Sequence, residues 1–227
     1  MCDGRVTQRG HHRDRNGESA VSDHVALKKL YDASTTNELR EAYDAWARTY
    51  DKQIMVDYGW SGPRLIAQQV RPLLADDAAI LDAGAGTGAV GLAARELGFT
   101  TLDALDLSLD MLEIARDHGV YRDIRVGILG EPLDYETDSY DAVVSAGTFT
   151  PGHAPPEGFG ELIRIVKPGG VICFTLRHDV VPDGFYETFE RLTNEGRWEQ
   201  QFVGEPFQGM PGGEPEVRHR VWLFKVL

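Results

Sequence analysis

The chain has 227 residues, 42% of them hydrophobic, which is enough for one sizeable α/β domain with an ordinary globular core. Its net charge of -13 disfavours a nucleic-acid partner, because so acidic a surface repels a phosphate backbone. No apolar run reaches the ~18 residues of a membrane span, and the polar start MCDGRVTQRGHHRDRNGES lacks the apolar centre of a secretory signal. The cysteines, Cys2 and Cys173, lie too far apart in sequence to suggest a disulfide framework or a zinc pattern, so a reducing, cytoplasmic setting is expected.

Residues 1–22 mix polar and small residues without periodicity and are expected to form a flexible tail. From 23 to 56 the pattern is helical, with Leu39, Tyr43, Trp46, Ala47, Tyr50 and Ile54 recurring at steps of three or four. A second helical stretch over 63–70 stops near Pro72, so residues 23–72 read as a helical cap and 73–227 as the main domain.

Strands and helices then alternate. Residues 78–83 form a short apolar strand, followed by a helix carrying Val90, Ala93, Ala94 and Leu97 and closed by Gly98. A second strand spans 100–107, and Ser108 is placed to cap a helix over 109–118 that Gly119 ends. A third strand covers 124–129 and a fourth 140–146. A helix with Phe159, Leu162, Ile163 and Val166 follows, and the turn KPGG leads into a fifth strand, VICFTL. This rhythm implies a parallel sheet covered on both faces. After a helix over 183–196 come two strands, 197–203 and 218–226, joined by the Pro- and Gly-rich EPFQGMPGGEPE. With no helix between them, an antiparallel pair is expected.

The first strand runs into glycines on alternate positions, in the stretch ILDAGAGTGAV. Such glycines let the backbone lie close against a ligand. A nucleoside-triphosphate loop requires Lys followed by Ser or Thr, and Gly88 is instead followed by Ala89 and Val90. A dinucleotide site matches GTGAVG at 86–91 with Asp106 about twenty residues on. Against it, Asp82 at the strand end would lie close to a doubly charged pyrophosphate. S-adenosylmethionine (SAM) has an adenosine, no phosphate, and a cationic amino-acid end, so an anionic strand end favours it. Asp106 can then accept both ribose hydroxyls, and the next helix N-terminus can face the ligand carboxylate.

In this order, DAGAGTG at 82–88, LDLSLDMLEIAR around Asp106 and LIRIVKPGG before the fifth strand resemble the class I SAM-dependent methyltransferases over about residues 37–227. YDAWARTYD at 43–51, LGEPL near Gly130 and RW at Trp198 are similar to the orphan methyltransferase-like proteins of the Williams-Beuren syndrome region. The resemblance implies a three-layer α/β sandwich around a seven-stranded, mostly parallel sheet whose last strand is antiparallel and inserted between the fifth and sixth. It also implies SAM as cofactor, with Asp82, Gly84, Ala85, Gly86 and Gly88 around the methionine end and Asp106 on the ribose. Leu107 and Met111 would pack on the adenine, and Leu129 and Gly130 would meet its edge. Ala146 and Gly147 would lie under the sulfonium, and Tyr43, Trp46 and Tyr50 would close over the cofactor.

No catalytic group stands out. His153 follows the fourth strand and is a candidate proton acceptor, although a surface loop histidine fits the pattern as well. His178 is weaker, and Arg218-His219-Arg220 is expected to be a solvated strand face. Ser145-Ala146-Gly147-Thr148 stands where many amino-methylating enzymes carry Asn- or Asp-Pro-Pro-Tyr, and no Asp/Glu/His metal cluster is evident in the sequence. The expected activity is methyl transfer to a small molecule. A nicotinamide oxidoreductase and a non-catalytic SAM-binding protein are the alternatives.

Overall fold

The structure, a computed structural model, describes residues 29, 30 and 32–227. The expected tail over 1–22 and the first residues of the cap, 23–28, lie outside the described residues.

The region expected to form the cap holds helix α1 (Thr36–Tyr50). Thr35 caps it by accepting the Glu38 amide at 3.2 Å, while the Glu38 carboxylate reaches back to the Ser34 amide at 2.9 Å. This reciprocal arrangement satisfies two otherwise orphaned donors and starts the helix at Thr36. Leu39, Trp46 and Ala47 form its buried face. The helix widens into a π-helical segment, Asp51–Asp57, whose Gln53 side chain accepts the indole N–H of Trp46. Helix α2 (Gly62–Val70) follows and tightens into a 3-10 turn, Arg71–Leu73, at Pro72.

The main domain runs β1 (Ala79–Ala83), α3 (Ala89–Glu96), β2 (Thr101–Asp106), α4 (Leu109–Asp117), β3 (Asp123–Val126), β4 (Tyr140–Phe149), α5 (Gly158–Ile165), β5 (Val166–Arg177), α6 (Phe185–Asn194), β6 (Trp198–Val203), β7 (Phe207–Gln208) and β8 (Arg218–Val226). The sheet order is β3-β2-β1-β4-β5-β8-β6, with the two-residue β7 paired to β8 as an eighth strand. β1 to β5 pair in parallel, and β8 is antiparallel to both β5 and β6. The expected insertion of the last strand is therefore present.

The largest boundary differences from the sequence reading are three. β3 ends at Val126 rather than 129, so Leu129 and Gly130 belong to a loop over the site. β4 continues to Phe149, past the expected end at 146, because Phe149 pairs with Leu176 after an irregular step. The KPGG segment is an excursion inside β5: Val166 pairs with Tyr140 and Val171 with Ala142, and residues 167–170 bulge between them.

Both sheet faces are packed. On one side Phe149, Phe159, Phe174, Phe189, Trp198 and Phe224 form an aromatic core, and on the other Ile66 and Val70 of α2 and Val90 of α3 pack with Ile80 and Phe99. A third cluster, with Leu39, Trp46, Ile54, Tyr58 and Trp60, joins the cap to the domain. Trp198 is fully buried and stacks on Phe224 with ring centroids 3.9 Å apart, which pins edge strand β6 to β8. Trp198→Ala should cost about 3–5 kcal/mol of stability, measured as a lower denaturant midpoint.

Candidate functional site

A cavity of about 470 Å³ opens at the C-terminal ends of β1, β2 and β4, beneath α1. Its size suits a small-molecule site, which typically spans ~300–1,000 Å³. Its position is where parallel α/β sheets bind ligands, outside the carboxyl ends of the strands.

The floor is the loop after β1. The amides of Gly84 and Ala85 donate to the Leu105 carbonyl at 2.7 and 3.0 Å, which turns the chain sharply out of the strand. Gly84 has φ +76°, and a Cβ there would come within 2.1 Å of Thr148 Oγ1, so no side chain is tolerated. Gly86, at φ +54°, has open space where a Cβ would stand. That space belongs to the cavity, and a ligand can approach the bare backbone there.

Asp106 ends β2 and is 8% exposed. Its Oδ2 accepts the Gly86 amide at 2.8 Å and its Oδ1 the Ser108 amide at 2.9 Å. Burial pushes its carboxyl pKa up, the amides of Ser108, Gly86 and Leu107 oppose that, and the nearby Asp44 charge adds to the rise. An ionised carboxylate has about four acceptor positions, so lone pairs remain for a ligand diol on the cavity side. Ser108 caps α4 by accepting the Met111 amide at 3.1 Å and donates its hydroxyl to Asp44 of α1. Thr87 donates likewise to Asp51, at the junction of α1 and the π-helical segment. Two hydroxyl–carboxylate bonds thus clamp the cap onto the two loops that form the floor.

Tyr43, Tyr50, Gly84, Gly86, Asp106, Leu107, Met111, Leu129, Gly130, Ala146, Gly147 and His153 all line this cavity. Asp82, Ala85, Gly88 and Trp46 do not, although the sequence pattern set them around the cofactor. Asp82 is 2% exposed and lies behind the glycine loop, where its Oδ2 accepts the Tyr121 hydroxyl at 2.6 Å. Tyr121 also accepts the Gly91 amide at 3.1 Å, so the pair braces the start of α3 from beneath. Burial raises the Asp82 pKa to about 7, partly opposed by the Tyr121 bond and reinforced by Asp106. Ala85 packs with Ala104 and Leu112, Gly88 caps α3, and Trp46 faces a smaller cavity beside the first. Tyr121 and Thr148 escaped the sequence reading because each acts through a contact made only when distant loops meet.

His153 Nε2 lies 2.9 Å from the Tyr43 hydroxyl and Nδ1 lies 3.1 Å from the Pro151 carbonyl. A carbonyl only accepts, so Nδ1 carries the proton and Nε2 accepts from Tyr43. Burial lowers the imidazole pKa, with the Pro151 bond opposing, so the ring is neutral at pH 7. His219, expected on a solvated strand face, is only 3% exposed and lines the smaller cavity. The reason is β7, whose pairing with β8 covers that end of the sheet. His178 lines neither cavity.

A methyltransferase-domain family profile matches residues 81–174, which span β1 to β5 and hold the glycine loop and Asp106. The chain is 34% identical over 165 residues to human methyltransferase-like protein 27, covering 69% of this chain and 66% of that protein. The chain belongs to the class I SAM-dependent methyltransferase family. A second relative, the malonyl-[acyl-carrier protein] O-methyltransferase of Marinomonas sp. (strain MWYL1), is 32% identical over 169 residues, 73% of this chain and 57% of that one. The matched segment thus spans about two thirds or less of these relatives. Among solved structures, the [4+2]-cyclase SpnF shares the fold with TM-score 0.68 at 14% identity, over 86% of this chain and 97% of that one. In this class I methyltransferase fold, the buried Asp82 generates a stability prediction. Its folded pKa of about 7 exceeds the ordinary 3.8, so its contribution is fully present below 3.8 and is lost as pH rises towards 7. Asp82→Asn should therefore gain stability relative to the parent as pH rises across that window, read from denaturant midpoints at several pH values.

Proposed function

We propose that the protein transfers the methyl group of SAM to a small-molecule acceptor whose nucleophile sits beside Tyr43 and His153. The observation that carries the reading is Asp106, a buried carboxylate that holds the bare Gly86 backbone and retains acceptor lone pairs towards a cavity of ligand size. In this reading Asp106 holds the ribose, Leu107 and Met111 pack on the adenine, and Leu129 and Gly130 meet its edge. Gly84, Gly86, Ala146 and Gly147 receive the methionine end, and Tyr43 and Tyr50 close over it. Asp82, Ala85, Gly88 and Trp46 act from behind the wall by holding the loop and the cap in place.

The bound sulfonium supplies an already activated methyl group, so the protein chiefly has to align the acceptor and exclude water; alignment of this kind can contribute ~7–11 kcal/mol. Proton removal falls to the Tyr43–His153 pair. On transfer the sulfur–methyl bond would break as the acceptor's bond to the methyl forms, and the acceptor's proton would pass to the Tyr43 oxygen while the Tyr43 proton moves to His153 Nε2. Because His153 is neutral at pH 7, it is ready to accept. An oxygen acceptor is in keeping with the O-methyltransferase relative. The net charge of -13 supports a small molecule over a nucleic acid. A buried, free Cys173 accords with a reducing cytoplasm as the place of work.

A nicotinamide dinucleotide fits less well, since its pyrophosphate would lie against the Asp106 carboxylate that holds the glycine loop. A non-catalytic SAM-binding protein is the other alternative. Formation of S-adenosylhomocysteine in a metabolite extract separates the two, and SAM bound without turnover would overturn the enzymatic reading. Asp106→Ala should weaken SAM binding more than about tenfold by calorimetry, since two charged hydrogen bonds at ~1.5–3 kcal/mol each are removed. His153→Asn should lower kcat by about 10²-fold or more with SAM affinity nearly unchanged. With His153 intact, the acid limb of kcat should fall below pH 6.5, the ordinary histidine value, because burial lowers the pKa.

A further inference from the structure

Behind the Tyr43–His153 pair lies a second cavity, of about 60 Å³. Tyr43, Tyr50, Gly147 and His153 line both cavities, so the two spaces meet at the point where the proposed methyl transfer takes place. Trp46 and Trp60 wall the smaller one. His219 of β8 lines it too, is 97% buried, and its buried Nδ1 has no hydrogen-bond partner among the described residues. A buried polar group without a partner is costly unless a ligand supplies one.

The geometry decides which nitrogen is offered. Nδ1 packs against Gly209, where a Cβ would come within 2.8 Å of it, and no described residue accepts a hydrogen bond from it. An orphaned buried donor is worse tolerated than an orphaned acceptor, so the proton resides on Nε2. Burial first, and then the charge of Arg177, hold the ring pKa down to about 4, with Asp179 opposing, so the ring is neutral. The charges around the cavity disfavour an ion. Arg177 is gripped by Asp179, whose Oδ1 lies 3.2 Å from its Nε, and the acidic Glu214 faces the same space. Among the described residues, an anion there meets the Arg177 cation against the carboxylates of Asp179 and Glu214, and a cation meets the guanidinium.

We propose that this second cavity receives the head of the methyl acceptor and that the head is a small uncharged group bearing a carbonyl or hydroxyl oxygen, hydrogen-bonded by His219 Nε2–H. The volume holds about two water molecules, so the head has a few heavy atoms and no aromatic ring. This proposal rests on the methyltransferase reading and adds to it the chemical class of the acceptor.

The test uses the full chain saturated with S-adenosylhomocysteine, histidine side-chain nitrogens observed by NMR, and three probes of similar size: acetamide, acetate and methylammonium. Acetamide is expected to shift the His219 Nε2 signal saturably. The shift should vanish in His219→Phe and persist in His219→Gln, which keeps an N–H donor. Calorimetry should give both variants a product affinity within about threefold of the parent, so that a folding defect is distinguished from a lost contact. An unmoved His219 signal with acetamide, or an equal response to acetate or methylammonium, overturns the proposal while product binding leaves the methyltransferase reading standing. Failure of the unsubstituted protein to bind the product overturns both.

Discussion

The bond network of Asp106 is the constraint on which the site depends. A carboxylate at the end of β2 is buried at the expense of its hydration, and the amides of Gly86 and Ser108 offset that expense. One donor comes from the glycine loop and the other from the cap of α4, so a single side chain sets the distance between two separate segments of the chain. The same Ser108 bonds Asp44 of α1, which extends the network into the cap. The floor and roof of the cavity are therefore positioned relative to one carboxylate.

The remaining acidic groups divide the work by environment. Asp82, though two residues from Gly84, is shut behind the loop and has its charge suppressed by burial, so its role is to anchor Tyr121 and the start of α3. Asp44 and Asp51 stay at the boundary and accept hydroxyls from Ser108 and Thr87. The cap is thus held at its loop contacts by single hydrogen bonds and along α1 by the apolar cluster of Leu39, Trp46 and Trp60. The π-helical segment Asp51–Asp57 carries both Asp51, which accepts the Thr87 hydroxyl, and Gln53, which accepts the Trp46 indole N–H.

The chemistry proposed for the acceptor side rests on a neutral His153 with one tautomer imposed by the Pro151 carbonyl. A histidine in a Pro- and Gly-rich loop gives no sign of this in the sequence, because the Tyr43 hydroxyl that completes the pair comes from 110 residues away. His219 is a similar case. Flanked by two arginines it looks solvated, yet β7 and Trp60 cover it.

Sequence alone determined the alternation of strands and helices, the antiparallel return of the last strand, and the position of the glycine loop and Asp106. Those features are local: apolar periodicity, caps such as Ser108, and glycines at sharp turns act over a few residues and leave a mark in the order of letters. Tertiary structure decided which of the marked residues face the cavity, setting Asp82, Ala85, Gly88 and Trp46 behind its wall. It also decided which unmarked ones join it, bringing Thr148 to Gly84, Tyr121 to Asp82, and His153 to Tyr43. The reason is that burial and hydrogen-bond partnership depend on what packs across the sheet, and no short window of sequence contains that information.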